Sequence, residues 1–237
     1  VYFCNNNAEV YGNNYVGGIF GYYGRLQNDS DSNDYLQDWL DRYFGKGNDN
    51  GEDDDFNFEE SVDLGIHKIS YCCNTGAVTA ENYAGGITGC LNAINAILKN
   101  SFANCQIFAH TNYAGGIAAE QLVGRIESCS VSGNVENEKG NYTGGIAGLS
   151  STEIYACTCN ARIEGNDYVG GIAGKANDLK NCYTNATIIS NGQYTGNITG
   201  FSGTGSAISV TNVKHNYFIG DGFGIDGVNY GAATEYS

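Results

Sequence analysis

The sequence predicts an all-β fold: a parallel β-solenoid of about seven rungs, with one short helix-containing acidic insertion. Three observations predict it: a motif that recurs six times, a second motif in step with the first, and a composition suited to tight corners. The 237 residues include 35 Gly and 18 Tyr but no Pro and no Met. Stacked, turn-rich strands need residues that accept unusual backbone angles at each corner. Hydrophobic residues make up 41% and charged residues 16%, so there is core material and no signature of disorder.

The first motif is a Tyr-x-Gly-Gly-Ile segment opened by Tyr15, Tyr83, Tyr113, Tyr142, Tyr168 and Tyr194. The last copy has Asn197 in place of the second Gly, which predicts an altered corner there. After a first gap of 68 residues the tyrosines recur at 30, 29, 26 and 26. A repeat of this length holds two or three short apolar-alternating runs, none periodic enough for an amphipathic helix. One repeat cannot bury its own apolar face. Stacking equivalent repeats at ~4.8 Å pairs each backbone with the rung above and below. Equivalent residues then form ladders. Ile19, Ile87, Ile117, Ile146, Ile172 and Ile198 are expected to point inward, as are Val10, Val78, Ile107, Val135, Ile163 and Ile188. The paired glycines are expected to make a corner or to admit a close approach of backbone.

The second motif reads apolar-x-x-Cys-x-x-x-small-x-apolar. Its Cys column is Cys4, Cys72, Cys129, Cys157 and Cys182, with Ser101 replacing one rung and Asn216 opening a degenerate seventh copy. Metal binding and redox chemistry are one reading of the column. The reading preferred is a stack of buried thiols acting as small apolar fillers, because no His accompanies them and no CxxC pair occurs. Vertically stacked cysteines present parallel Cβ vectors, which suits a disulfide poorly, so mostly free thiols are expected.

These residues resemble the GLUG-motif repeat of bacterial surface proteins and some immunoglobulin-A peptidases. The resemblance rests on Tyr168-Val169-Gly170-Gly171-Ile172-Ala173-Gly174 and Leu179-Lys180-Asn181-Cys182-Tyr183, and it covers residues 1–21 and about 66–237. The tail 213–237 looks like the capping segment that closes such arrays. The family implies a surface-exposed, adhesin-like role for a chain joined to further domains. It says little about ligand, because the motif is scaffold.

Residues 22–65 interrupt the repeat within one solenoid domain, 1–237. Leu36, Trp39, Leu40 and Tyr43 are spaced as one face of an amphipathic helix, with Asp34 as N-cap and Gly45 as its stop. This helix either packs on the solenoid or presents Tyr35, Trp39 and Tyr43 to a partner. Half of the chain's 26 acidic residues fall in the same stretch. Two runs, one with Asp29 and Asp31 and one with Asp49, Asp53 and Asp55, offer the oxygen ligands that calcium takes. The first run lacks the Gly and Glu of an EF-hand loop, and a solvated acidic loop is the preferred reading. Calcium, if bound, would be structural, and no other cofactor is expected.

A net charge of −15 repels phosphate backbones and anionic lipid, so no nucleic-acid partner is expected. No apolar run approaches the ~18 residues of a membrane span, so no membrane insertion is expected. The acidic rung residues Glu9, Glu127, Glu136, Glu153 and Glu164 read as scattered between columns, which argues against a carboxylate enzyme. His67, His110 and His215 form no metalloprotease motif. The expected function is a non-catalytic extracellular binding or adhesion module of a larger bacterial surface protein, recognising host or matrix glycan or protein. A structural spacer or filament element, and a non-catalytic repeat region of a secreted peptidase, are the alternatives. Tyr142, Tyr168 and Tyr194, with the rest of the Tyr column, are either an exposed aromatic track or a cover for the corner glycines.

Overall fold

The computed structural model describes residues 1–24, 66–203, 209, 211–225 and 233–235. It separates into two units, Val1–Gly24 with Ile66–Ser237 and Arg25–Gly65. The first is an all-β parallel solenoid; among the described residues there is no helix. The predicted helix of the insertion lies outside the described residues.

Three walls are built from parallel strands. The long wall holds 11 strands, among them Phe102–Ala109, Ser130–Asn137 and Thr158–Gly165. The short wall holds six, from Val16–Gly17 to Thr195–Gly196, and these six are separated by about five turns. The expected seven rungs counted every motif copy, including the degenerate last one that adds no strand to the short wall. The looped wall holds eight, among them Thr88–Lys99 and Ala147–Tyr155.

The ladders fall where the repeat puts them. Val10, Val78, Ile107, Val135, Ile163 and Ile188 are consecutive register partners along the long wall. Ile87, Ile117, Ile146, Ile172 and Ile198 are fully buried, and so is a third column, Ile69, Leu98, Ile126, Ile154, Leu179 and Val213. Burying each such side chain contributes about 1.5–3 kcal/mol relative to leaving it exposed. Ile19 and Val10 are only half-buried, because no described rung stacks outside them.

Where the looped wall turns into the long wall, one residue in each rung takes a left-handed conformation. These are Phe3, Tyr71, Asn100, Ser128, Ala156, Asn181 and His215, with φ between 49° and 57°. One such residue turns the chain within a single position. Left-handed φ is easy for Asn and strained by about 1–2 kcal/mol for a side chain such as Ala. Ala156→Gly is therefore expected to stabilise the fold by up to about 1 kcal/mol, less the added entropy of the unfolded chain. Denaturant melts check this, and a loss of stability would contradict it.

The residue after each corner belongs to the Cys column, and here the filler reading needs correction. The backbone N–H of Cys129 donates to Cys157 Sγ at 3.4 Å, that of Cys72 to Ser101 Oγ at 3.2 Å, and that of Cys182 to Asn216 Oδ1 at 2.9 Å. The side chains also donate: Cys157 Sγ to the Tyr155 carbonyl at 3.3 Å, Ser101 Oγ to that of Lys99 at 3.0 Å, Asn216 Nδ2 to that of Leu179 at 2.9 Å. The column is a rail of short side chains in which Cys157, Ser101 and Asn216 both donate and accept, while Cys72, Cys129 and Cys182 donate through Sγ. It satisfies buried backbone groups where the corner interrupts the strand ladder.

All nine cysteines are free thiols. Burial pushes the Cys90 and Cys159 thiols up to about 12 and that of Cys105 up to about 11, from an ordinary value of 9.0. A raised folded value means the protonated thiol is favoured in the fold. The associated stability is fully present below pH 9 and is lost as pH rises toward 11–12. The slope is about 1.4 kcal/mol per pH unit for each thiol that would titrate on unfolding. Urea midpoints are expected to be flat from pH 7 to 8.5 and to fall steeply above 9; a midpoint still flat at pH 10.5 would contradict this.

The looped wall explains the uneven repeat. Its strands keep register on both sides of an irregular segment that shortens along the stack, from 92–97 to 122–125, 151–153 and 177–178. The large excursions leave from the same place. Gly24 pairs with Asn92 and His67 with Ala96, so the chain departs after Gly24 and rejoins the wall beside the same rung. Likewise Phe201 pairs with Lys175 and Val213 with Leu179. Extra length is accommodated at one column, which leaves the three central strands of the long wall uninterrupted.

Candidate binding wall

The long wall is regular because its three central strands have eight residues each and keep register along nearly their whole length. Residues alternate in and out with period two. Ala103, Ile107, Val131, Val135, Cys159 and Ile163 face the core. The residues between them form outward columns: Asn104, Ser132, Asn160; then Gln106, Asn134, Arg162, Thr187. Asn104, Gln106, Asn160 and Thr187 are exposed. One flank is Phe102, Ser130, Thr158, Tyr183 and Tyr217, with both tyrosines 37% exposed. The outcome is a level surface of amides and hydroxyls, bordered by aromatic rings, on a rigid base.

The other flank is Phe108, Glu136, Glu164 and Ile189. Glu136 and Glu164 are register partners, and Glu153 is the partner of Asp178. The expectation that the acidic rung residues do not align is thus wrong for these pairs. The alignment follows from the apolar columns: Glu136 and Glu164 directly follow Val135 and Ile163, and Glu153 and Asp178 directly precede Ile154 and Leu179. Arg162 pairs with both Glu136 and Glu164. Lys180 Nζ reaches Glu153 Oε1 at 3.0 Å and Asp178 Oδ1 at 2.9 Å, and Arg125 Nε lies 3.0 Å from Glu153 Oε2. A cleft of about 260 Å³ opens beside Phe108, Glu136, Glu164, Asn166 and Asn191. At its rim His110 Nδ1 lies 2.8 Å from Glu138 Oε2, and that contact holds the Glu138 carboxyl below its ordinary value.

The Tyr column is a continuous run of ring contacts, stacked for Tyr15–Tyr83, Tyr142–Tyr168 and Tyr168–Tyr194 and edge-on at Tyr113. Ring centroids are 4.5 Å apart for Tyr15–Tyr83, 5.0 Å for Tyr83–Tyr113, 4.9 Å for Tyr113–Tyr142, 4.7 Å for Tyr142–Tyr168 and 4.6 Å for Tyr168–Tyr194. All six rings are half-buried. Tyr168 is stacked on both sides, by Tyr142 and Tyr194, so it offers an edge rather than an open face, while Tyr142 and Tyr194 each have one face stacked on Tyr168. Glu120, only 8% exposed, lies near this stack with its Oε2 3.9 Å from Cys90 Sγ. Burial raises its carboxyl, and burial followed by the Glu120 charge pushes the Tyr15 and Tyr113 hydroxyls up to about 12. Sequence reasoning missed Glu120, since nothing in its local sequence marks it as buried.

Trp39, Tyr35, Tyr43 and the candidate calcium ligands Asp29, Asp31, Asp49, Asp53 and Asp55 lie outside the described residues. Among the described residues, no group of three or more His, Cys, Asp or Glu side chains is placed to hold a metal ion.

No protein-family model and no curated protein matches the chain. Among solved structures it is similar to a Bacteroides ovatus protein provisionally assigned as an immunoglobulin A1 protease. The two share 22% identity with a TM-score of 0.47, over 80% of this chain. This chain spans 59% of the length of that structure. At that distance the likeness says nothing about activity.

Proposed function

We propose that the chain is a non-catalytic binding module of a larger bacterial surface protein, and that its long wall holds a host or matrix glycan or protein outside the cell. One observation carries this reading: in-register columns of exposed and half-buried Asn, Gln, Ser and Thr on three central strands that no loop interrupts. Such side chains both donate and accept, so they suit polyhydroxylated or peptide surfaces alike. Their strand bases fix their spacing in advance, which reduces the entropy lost on binding. Glu136 and Glu164 share one guanidinium, which favours a structural role over a catalytic pair separated by a substrate gap. The GLUG-like repeat supports a surface setting, and it accords equally with a non-catalytic repeat region of a secreted peptidase.

The test is a glycan array and a pull-down of host surface proteins, run with the parent chain and an Asn134→Arg, Thr158→Arg variant. Both positions face outward, so the variant is expected to melt with the parent and to lose at least tenfold in binding. Binding that survives the double substitution would remove the wall from the account. A second reading, a spacer or filament element, draws on the first rung: among the described residues its strands Asn5–Asn6, Val10–Gly12, Val16–Gly17 and Phe20–Gly24 pair on one side only. Silence on both arms together with end-to-end assembly would favour it.

A further inference from the structure

The strand Thr187–Ser190 is paired on one edge only. Among the described residues its one strand partner is Thr158–Gly165. The reason is a short cut in the next rung. There the chain passes from Phe218 to the short wall through 219–222, whereas the rung before it spends 185–194 on the same path. No described segment stacks on Thr187–Ser190 from that side.

Alternation in a parallel ladder tells which backbone groups are left over. The N–H groups of Tyr183, Asn185 and Asn191 donate back to the carbonyls of Cys157, Cys159 and Gly165. The odd-numbered residues therefore face the preceding rung. The N–H and C=O of Ile188 and Ser190 face the missing one. Ile188 lines a cleft of about 700 Å³, together with Ile219, Asp221 and Phe223 among others, and Ser190 continues the same strand edge beyond it. Ile219 is 40% and Phe223 49% exposed. The cleft has a built floor: Asn197, the residue that departs from the Gly-Gly pattern, donates from Nδ2 to the Asp221 carbonyl at 2.8 Å and fixes the 219–223 segment. Its own N–H donates to the Phe223 carbonyl at 2.8 Å.

We propose that this cleft takes an extended peptide segment of another protein, added as a strand beside Thr187–Ser190. Free backbone groups supply the main-chain bonds, and Ile188, Ile219 and Phe223 in the cleft receive alternate side chains. Asp221, on a chain of net charge −15, selects a segment with alternating apolar residues and a flanking Lys or Arg. This site lies at the end of the long wall and shares Thr187 with its outward column, but Asn134 and Thr158 lie outside the cleft, so substitutions there and at Phe223 or Asp221 test the two readings separately.

The test uses the full chain and a random dodecapeptide display library selected at 0.15 M salt. The enriched peptides are expected to alternate apolar residues next to a basic one. Binding of a selected peptide is expected to fall at least tenfold with Phe223→Ser and with Asp221→Lys, but not with the Asn134→Arg, Thr158→Arg wall variant. Amide hydrogen exchange at Ile188 and Ser190 is expected to slow at least tenfold when that peptide is bound. The proposal is overturned by a library that does not enrich, by binding indifferent to both cleft substitutions, or by no slowing at those amides. Amides at Ile188 and Ser190 already protected in the free chain would overturn it too, since the edge would then be occupied from within.

Discussion

Gly144→Ala is expected to destabilise the solenoid by at least about 4 kcal/mol, in the range reserved for backbone collisions and core cavities. A Cβ at Gly144 would run into the carbonyl oxygen of Ala147 in its own rung, and would lie 2.6 Å from Ala173 Cα and 2.6 Å from Gly174 N in the next. All three are backbone atoms of paired strands, so none yields without parting two rungs. Gly12→Ala is the contrasting case. There the added methyl meets the Cγ2 tip of Val16 at 2.7 Å, a side chain in a rung open on one side, and the expected loss is about 1 kcal/mol or less. Urea unfolding of both variants measures the difference. Equal, small losses would mean that the first glycine of the pair is not a point of close rung contact.

Cys157→Ala is expected to lower stability by about 2–4 kcal/mol, and Cys157→Ser to recover more than half of that. The alanine leaves the buried Cys129 N–H without its acceptor, which costs about 1–3 kcal/mol, and leaves a void the size of the sulfur, which costs about 1 more. For a chain of this length the alanine loss corresponds to about 4–16 °C in melting temperature. Serine retains both a donor and an acceptor, as Ser101 already does one rung away in the same column. If the thiols were only apolar filler, alanine would be tolerated and serine would be the worse choice. The order of the two variants therefore decides between the readings.

The scaffold was largely readable from the chain alone. Six tyrosines, five of them followed by Gly-Gly-Ile and the last by Gly-Asn-Ile, recur in step with an apolar column, and only stacked parallel rungs bring such columns together. The role of the thiols was less readable because Cys serves equally as a small hydrophobe and as a weak hydrogen-bonding group. The signal lay in its replacements. Ser101 and Asn216 share with Cys a short side chain that donates and accepts, and no apolar residue stands in the column. The left-handed corner was hidden because Tyr71 and Ala156 carry no turn signature, although Asn100 and Asn181 do. The alignment of Glu136 with Glu164 was legible but not drawn, since each directly follows a member of the Val135–Ile163 ladder. The long wall as a binding surface left no mark in the sequence. Alternating polar residues such as Asn104, Gln106, Asn134 and Asn160 read as any solvated strand face until their register is known.

Site-resolved thiol labelling at pH 7.5 tests most directly whether these repeats stack around a dry interior. The folded chain is expected to react quickly at Cys4 and Cys73, which are partly exposed, while Cys72, Cys90, Cys105, Cys129, Cys157, Cys159 and Cys182 stay unmodified until denaturant is added. Rapid labelling of Cys129, Cys157 and Cys182 in the folded chain would place the rail in water and contradict the stacked architecture on which the wall and the cleft depend.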